Sequence, residues 1–484
     1  MARFKAQDSK GQSYMLSLNL DEQFSEYSIE KVISRFVEEN VKEEDYEQYY
    51  KNDKKGQKAY SPKMLLKVIL YGLSRGESMR KIGVEMNHHT GYMYLSRNTV
   101  VEHSTLSTFF IKSKKVVEEL FKNLLCIMQE QRLIDLSMIE VDGTMCRANA
   151  SKDKTGNMED FEKMYRKFEK YSHGLVERVN DLEIKYSNGE IDEGDYDEEK
   201  KRIDRQESVY KNTMQKIKKL KKRVKKQGLE NKESEEKADK GKKKKERRYN
   251  LTDDDSRLIT KNKNRDGYQQ GYNVQIGKSK NDVILHIESE TGSDNTLLKK
   301  NIKEIEKRKR EIGVEEGNIY LLDKGYFSSR DMNEYLEDDK VDLYMPIPDK
   351  SVNVDRLDRL KEEGGEYYLR VKDKWLILKK QKDKDAYRVR YKDEKTGKIK
   401  EESIVGSIVR KIKQWQRYVS KMDSERGKKI YNKRIGKEHN NHEFKNILNK
   451  SRLLRRGKEK VDFELLFSAL AFNLRKYSRM LAMR

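Results

Sequence analysis

The sequence predicts an α/β chain in which a helical N-terminal portion precedes a mixed sheet. From about Ser28 to Gln131, apolar residues recur at helical spacing, as in Met64, Leu65, Val68, Leu70, Tyr71 and Leu73, which gives successive helices an apolar face. At Leu136–Thr144 the pattern changes to a short, partly β-branched run ending in Asp142-Gly143, which predicts a buried strand meeting a turn. Strand-like runs return at Tyr272–Ile276, Val283–Ile287, Asn318–Asp323 and Asp342–Ile347. Helical stretches at Asn295–Ile312 and Ser328–Leu336 separate them, as a mixed α/β sheet requires.

Ser61-Pro62 supplies a helix start, because proline tolerates the first helical turn. Helices around Ser61–Leu73 and Ser78–Met86, joined across Ser74-Arg75-Gly76, have the form of a helix-turn-helix pair, a form any helical bundle also offers. Beyond the first strand, Met158, Phe161, Phe168, Tyr171, Leu175 and Leu182 recur near 3.5 spacing. The pattern breaks at Ser187-Asn188-Gly189 and resumes through Ile203, Tyr210, Ile217 and Val224, which predicts an antiparallel helical hairpin. The Lys-rich runs Lys216–Lys226 and Lys242–Arg248 are either a solvated spacer or an arm that contacts phosphates. Between Gly365 and Ile399 the segments Tyr367–Val371, Trp375–Leu378 and Tyr387–Tyr391 predict a small antiparallel piece. After Ser403 the chain reads as helical to its end, with the apolar face of Val461–Met480 docking on the core. The expected domains are therefore a helical one at 1–133 and an α/β one at 134–484. The latter contains a hairpin and basic insertion at 157–250 and a β-rich insertion at 350–405.

Lys and Arg number 107 against 84 Asp and Glu, a formal net charge of +23 that acts at a distance on any polyanion. Nucleic acid is the first partner to consider; a merely soluble Lys-rich protein shares the same excess. Charged residues make up 39% and hydrophobic ones 35%, so long solvated helices dilute the core. Cys126 and Cys146 lack metal-binding spacing, which excludes a disulfide framework and a cysteine zinc site. Met1-Ala2-Arg3-Phe4-Lys5 has no apolar signal core, and no run approaches the roughly 18 apolar residues of a membrane helix. A soluble, cytoplasmic protein is expected.

Asp142 and Asp323 each close an apolar strand, the first before Gly143 and the second before Lys324-Gly325-Tyr326. Sites on open α/β sheets form at strand ends, so the two carboxylates make a candidate metal pair. Oxygen ligands without His or Cys suit a hard divalent cation such as magnesium. A strand-terminal aspartate also serves as an ordinary turn residue. A third acid strengthens the metal reading. In Tyr431-Asn432-Lys433-Arg434-Ile435-Gly436-Lys437-Glu438, followed by Lys445, the offsets of three, four and seven residues set Tyr431, Arg434, Glu438 and Lys445 on one helical face. Glu438 there completes a metal site while Arg434 and Lys445 grip flanking phosphates. The plainer alternative is a surface helix with an ion pair between Arg434 and Glu438.

These motifs resemble the DDE insertion-sequence transposases of the group with a Tyr-Arg-Glu-Lys signature helix. The likeness extends to Ser61–Leu66 and Tyr71-Gly72 in the helical domain, Asp142-Gly143-Thr144 with Ala148-Asn149-Ala150, and Asp253–Arg257. It continues through Gly271–Gln275, Asp323-Lys324-Gly325-Tyr326 and Ala471-Phe472-Asn473-Leu474. The resemblance implies a ribonuclease-H-like catalytic fold, with the hairpin inserted after its first strand and the antiparallel piece before the Glu438 helix. It implies that Asp142, Asp323 and Glu438 bind two magnesium or manganese ions, and that Tyr431, Arg434 and Lys445 position the cut DNA end. The implied activity is cleavage of DNA at terminal inverted repeats and strand transfer into target DNA, with a homodimer pairing two ends. Relatives often place a cysteine cluster in the region that is cysteine-free Lys374–Glu402 here, so no zinc is expected. The rival readings are a non-catalytic DNA-binding or architectural protein, and a nuclease of the same fold without strand transfer.

Several other residues have two readings. His439 and His442 beside Glu438 are read as exposed rather than as metal ligands. Trp375 is read as a packed strand aromatic rather than one that stacks on a base. Asp294 is either a polar neighbour of the site or a cap for the following helix. Tyr268 and Tyr272, near Arg265, serve either strand packing or DNA contact.

Overall fold

A computed structural model describes residues 19–49, 58–235, 248–260, 267–315, 318–337, 340–347, 359–371, 374–381, 384–392, 397–435 and 452–484. The chain divides into two units, Met1–Leu133 with Phe467–Arg484, and Ile134–Leu466.

In the first unit the helices are α1 (Leu20–Gln23), α2 (Ile29–Asn40), α3 (Pro62–Ser74), α4 (Met79–Glu85), α5 (Thr90–Ser96), α6 (His103–Lys112) and α7 (Lys114–Glu130). The Ser28 and Ser78 side chains cap α2 and α4 by accepting from the Lys31 and Lys81 amides. α3 is buried nearly all round, through Leu65, Leu66, Val68, Ile69, Leu70 and Tyr71. Its Tyr71 donates to Glu30 on α2 at 2.7 Å, and Tyr92 on α5 donates at 2.5 Å to Glu77, in the turn between α3 and α4. Each buried carboxylate thus has a donor, without which its burial would be costly.

The closing helix does not belong wholly to the α/β domain, as the boundaries 134–484 had it. Phe467 stacks on Phe110 at 4.8 Å, Gln131 donates to the Tyr477 hydroxyl at 3.0 Å, and Ser478 donates to the Tyr27 carbonyl at 2.7 Å. The apolar side chains of 467–484 therefore complete the helical core, a pairing that separation in sequence conceals.

The second unit is built on a six-stranded sheet. Its strands are β1 (Ile139–Arg147), β4 (Arg257–Thr260), β5 (Tyr268–Ser279), β6 (Ile284–Glu290), β7 (Ile319–Leu322) and β8 (Asp342–Tyr344), in the order β4-β5-β1-β7-β8 with β6 also on β5. β1 lies antiparallel to β5 and parallel to β7, and β7 parallel to β8. β1 does not stop at Asp142-Gly143 as expected. Its ladder with β5 continues from Ile139↔Ser279 to Arg147↔Gly271, so Gly143 is an ordinary strand position; only the parallel pairing ends there. Helix α10 (Leu298–Glu311) packs on this sheet, and α11 (Ser329–Tyr335) connects β7 to β8.

Helices α8 (Met158–Ser187) and α9 (Glu193–Glu235) form a hairpin that leaves and rejoins the sheet domain where β2 (Thr155–Gly156) pairs with β3 (Tyr249–Asn250). Phe161, Ile217, Leu220 and Tyr249 make its basal core, and Leu175, Leu182 and Ile203 a second cluster further out. The basic run Lys216–Lys226 is helical, part of α9, whereas 242–247 lie outside the described residues.

The β-rich insertion has five strands where the sequence suggested three. They are β9 (Leu360–Glu363), β10 (Glu366–Val371), β11 (Lys374–Lys380), β12 (Ala386–Lys392) and β13 (Ile399–Val405), an antiparallel meander in chain order. β9 is mostly charged and β13 has three charged residues, Lys400, Glu401 and Glu402, in a row, so neither shows apolar alternation; both pair along the backbone, with β10 and β12. Helices α12 (Gly406–Asp423) and α13 (Glu425–Ile435) follow, and α14 (Lys458–Ala482) closes the chain. Among the described residues no helix is long and apolar enough to cross a membrane.

Candidate active site

Strand register sets the site. Parallel pairing of β1 with β7 runs Ile139↔Tyr320, Glu140↔Leu321 and Val141↔Leu322, so the next residues on the two adjacent strands are Asp142 and Asp323. Neighbouring strands lie about 4.8 Å apart, which brings the two carboxylates into one locality. The strands part at this point. β1 continues along β5, while Asp323 caps a short turn, Lys324–Tyr326, accepting from the Lys324 amide at 2.8 Å. The Asp142 side chain is 23% exposed and that of Asp323 53%.

A cation lies among these acids. The Arg434 guanidinium, on α13, is 3.3 Å from Asp142 Oδ1, 3.5 Å from Asp323 Oδ1 and 3.7 Å from Glu140 Oε1, with its side chain only 13% exposed. Burial works against its charge, but the carboxylates of Asp142, Asp323 and Glu140, with Tyr431, outweigh burial and hold the guanidinium above its ordinary pKa. α13 is anchored beside the sheet by Ile430 and Tyr431, which pack against a cluster of Met138, Leu321 and Tyr344. Burial raises the Tyr431 phenol pKa, Asp323 and Glu140 push it the same way, and Arg434 opposes.

Sequence reasoning missed Glu140. It lies two residues before Asp142 on the same strand and therefore on the same face, and it is buried. The available signal was parity: a charged residue inside an apolar strand, in step with a candidate ligand. Glu438 and Lys445, like His439, His442 and Arg265, lie outside the described residues; α13 ends at Ile435, three positions before Glu438. Tyr431 and Arg434 both face the site.

Asp294 does not cap α10, whose start has no side-chain cap. Its Oδ1 instead accepts from Asn273 at 2.7 Å and Gln275 at 2.9 Å on β5. Tyr326 is fully buried and donates to Gln275 Oε1 at 2.5 Å. Burial drives its phenol pKa far up, and Asp294, Asp142 and Asp323 add to the shift, so it stays a neutral donor. Tyr272 is a packing residue, buried and donating to Asp253 at 2.8 Å, whereas Tyr268 is exposed. Trp375 is not packed in the β-rich core as expected; its ring is on the exposed face, with the Lys361 ammonium 5.2 Å away.

A second acidic group, Asp253, Asp254 and Asp255, brings its carboxylate oxygens within 4.8 Å of one another. Its partners are structural. Arg223 pairs with Asp254 and Asp255, Asp253 accepts from the Gly457 amide at 3.1 Å, and Asp255 from the Lys458 amide at 2.9 Å, at the start of α14. These acids cap a helix and bind an arginine. They also lie apart from Asp142: Arg147, five residues further along β1 and so about 16 Å away, pairs through Gly271 with Arg257.

Two family models match the chain. One, described as a transposase domain (DUF772), covers residues 18–112, and the other, described as a transposase DDE domain, covers 235–474. The chain belongs to the insertion-sequence DDE transposases. No curated protein and no solved structure matches it. The DDE match includes Asp323, Arg434, Glu438 and Lys445 of this transposase, while β1 with Asp142 falls between the two matched segments. The α8–α9 hairpin separates β1 from the rest of its sheet along the chain.

Proposed function

We propose that this transposase cuts DNA at the terminal inverted repeats of its element and joins the freed ends to target DNA, using Asp142, Asp323 and Glu438 as a carboxylate triad on a ribonuclease-H-like sheet. The observation behind this reading is the adjacency of Asp142 and Asp323 where β1 and β7 part, with a guanidinium drawn between them. That guanidinium marks a position where three carboxylates stabilise positive charge, and their all-oxygen donor set fits magnesium or manganese. Asp142 and Asp323 would hold the two ions together with Glu438, which follows α13 in sequence. When bound, such ions supply charge to the scissile phosphate and acidify the attacking water or 3′-hydroxyl.

The protein's own groups do the rest. Arg434 supplies one positive charge among Asp142, Asp323 and Glu140, and with Tyr431 and Lys445 it would hold the phosphates beside the cut. Tyr326, kept neutral, braces the turn that bears Asp323. The helical N-terminal unit would read the repeats, and the excess of positive charge would make binding sensitive to salt. A homodimer acting on DNA in the cytoplasm completes the proposal.

The test uses duplexes bearing the element's ends, with magnesium and a target plasmid. Asp142→Asn, Asp323→Asn and Glu438→Gln should each reduce nicking to below about one-thousandth of wild type, a barrier increase of about 4 kcal/mol, while gel-shift binding persists. Cleavage products that never join the plasmid would mark a nuclease. Binding without nicking by the wild-type chain would mark an architectural protein.

A further inference from the structure

We propose that Asp294 is a positioning residue for the Asp142–Asp323 pair, a strut between strand β1 and the turn that bears Asp323; this rests on reading those aspartates as metal ligands. The carboxylate sits between two glycines, each close behind one of the acids. A methyl group on Gly143 would collide with Asp294 Oδ1 and come within 2.9 Å of Gln275 Nε2; one on Gly325 would lie 3.3 Å from Asp294 Oδ2. Glycine at both places leaves just the space the carboxylate fills.

Its anchors connect both halves of the site. Gln275 pairs with Gly143 across β5 and β1, and Asn273 with Met145, so the two amides that hold Asp294 Oδ1 are fixed to the strand carrying Asp142. Gln275 Oε1 in turn accepts from the Tyr326 hydroxyl at 2.5 Å and from Asn301 on α10 at 2.6 Å. Tyr326 lies three residues after Asp323 and is fully buried. The turn Lys324–Tyr326 is thereby held at two points, Gly325 against Asp294 and Tyr326 against Gln275, and Asp323 enters it directly from β7. Removing the strut frees the turn to shift relative to β1, and with it the separation of the two acids.

Manganese binding by the full-length protein without DNA, followed by electron paramagnetic resonance, tests this independently of cleavage. Asp294→Ala should weaken binding by about 10- to 100-fold, the usual cost of breaking the shell that supports metal ligands. Asp294→Asn keeps a carbonyl oxygen for Asn273 and Gln275 and should recover most of the affinity. Asp142→Asn is the control. If it binds manganese as wild type does, the metal-pair reading itself fails; if it loses binding while Asp294→Ala keeps wild-type affinity, the strut alone is overturned. Should Asp294→Ala fail to fold by circular dichroism, Gln275→Met takes its place, since it removes one of the two amides that hold Asp294 and the acceptor that holds Tyr326. Weakened binding in that variant supports the strut, and unchanged affinity overturns it.

Discussion

Arg434 meets Asp142, Asp323 and Glu140 at once, and its guanidinium is nearly buried. Three carboxylates gathered in one place repel one another, and each loses hydration, so a counter-charge is required wherever they stay ionised. On the proposed reading a divalent ion would compete for the same carboxylates, so metal and guanidinium would substitute for each other. Arg434→Ala should therefore lower stability in chelator by up to about 3 kcal/mol, as for a buried pair left without its cation. Added manganese should restore more stability to that variant than to wild type, because a ligand bound only by the folded state adds free energy by mass action. Urea unfolding with and without manganese measures both effects; equal metal responses would show that Arg434 and the ion do not share the acids. The sequence offered Arg434 as a phosphate contact or as an ion-pair partner of Glu438, and not as a partner of Asp142, because a residue on α13 and another on β1, nearly three hundred positions apart, come together solely through tertiary packing. Local pattern placed Asp142 and Asp323 each after an apolar strand run, but their adjacency follows only from the pairing of β1 with β7. Glu140 and the bonding of Asp294 depended on strand parity and cross-strand register, which single-residue patterns do not show.

The elements that position the site divide between those with strong periodicity and those without. α8 and α9 were evident from apolar spacing because their two facing stripes must cover one another. β9 and β13 were invisible for the opposite reason: charged runs, Lys361–Glu363 and Lys400–Glu402, break the apolar alternation, and the strands are defined by backbone bonds with β10 and β12. β1 was placed but ended too early, since Asp-Gly marks a turn in isolation, whereas here β5 supplies partners as far as Arg147. The hairpin base is the element most open to direct test. Phe161 is 2% exposed and packs with Ile217, Leu220 and Tyr249 where the insertion rejoins the sheet domain. Phe161→Ala should cost about 3 to 5 kcal/mol locally and expose α8 and α9 to limited proteolysis. Unchanged cleavage kinetics of the hairpin would show that this cluster does not fasten it.

At the scale of the whole chain, two insertions interrupt one sheet. The strand bearing Asp142 is cut off from its partners by the hairpin, and the five-stranded meander separates β8 from α12 and α13. The order of the fold therefore lies in pairing rather than in sequence, and the helical unit takes its last residues, Phe467–Arg484, from the far end of the chain. Assembly of the acids is consequently a property of the complete second unit, and its most direct measurement is where a metal sits. Iron(II) in a magnesium site, with ascorbate and peroxide, releases hydroxyl radicals that cut the backbone nearby. The full-length protein should be cut around both Asp142 and Asp323, at sites protected together by excess magnesium and absent in Asp142→Asn. Cutting confined to Asp253–Asp255, or at one aspartate without the other, would contradict a shared site.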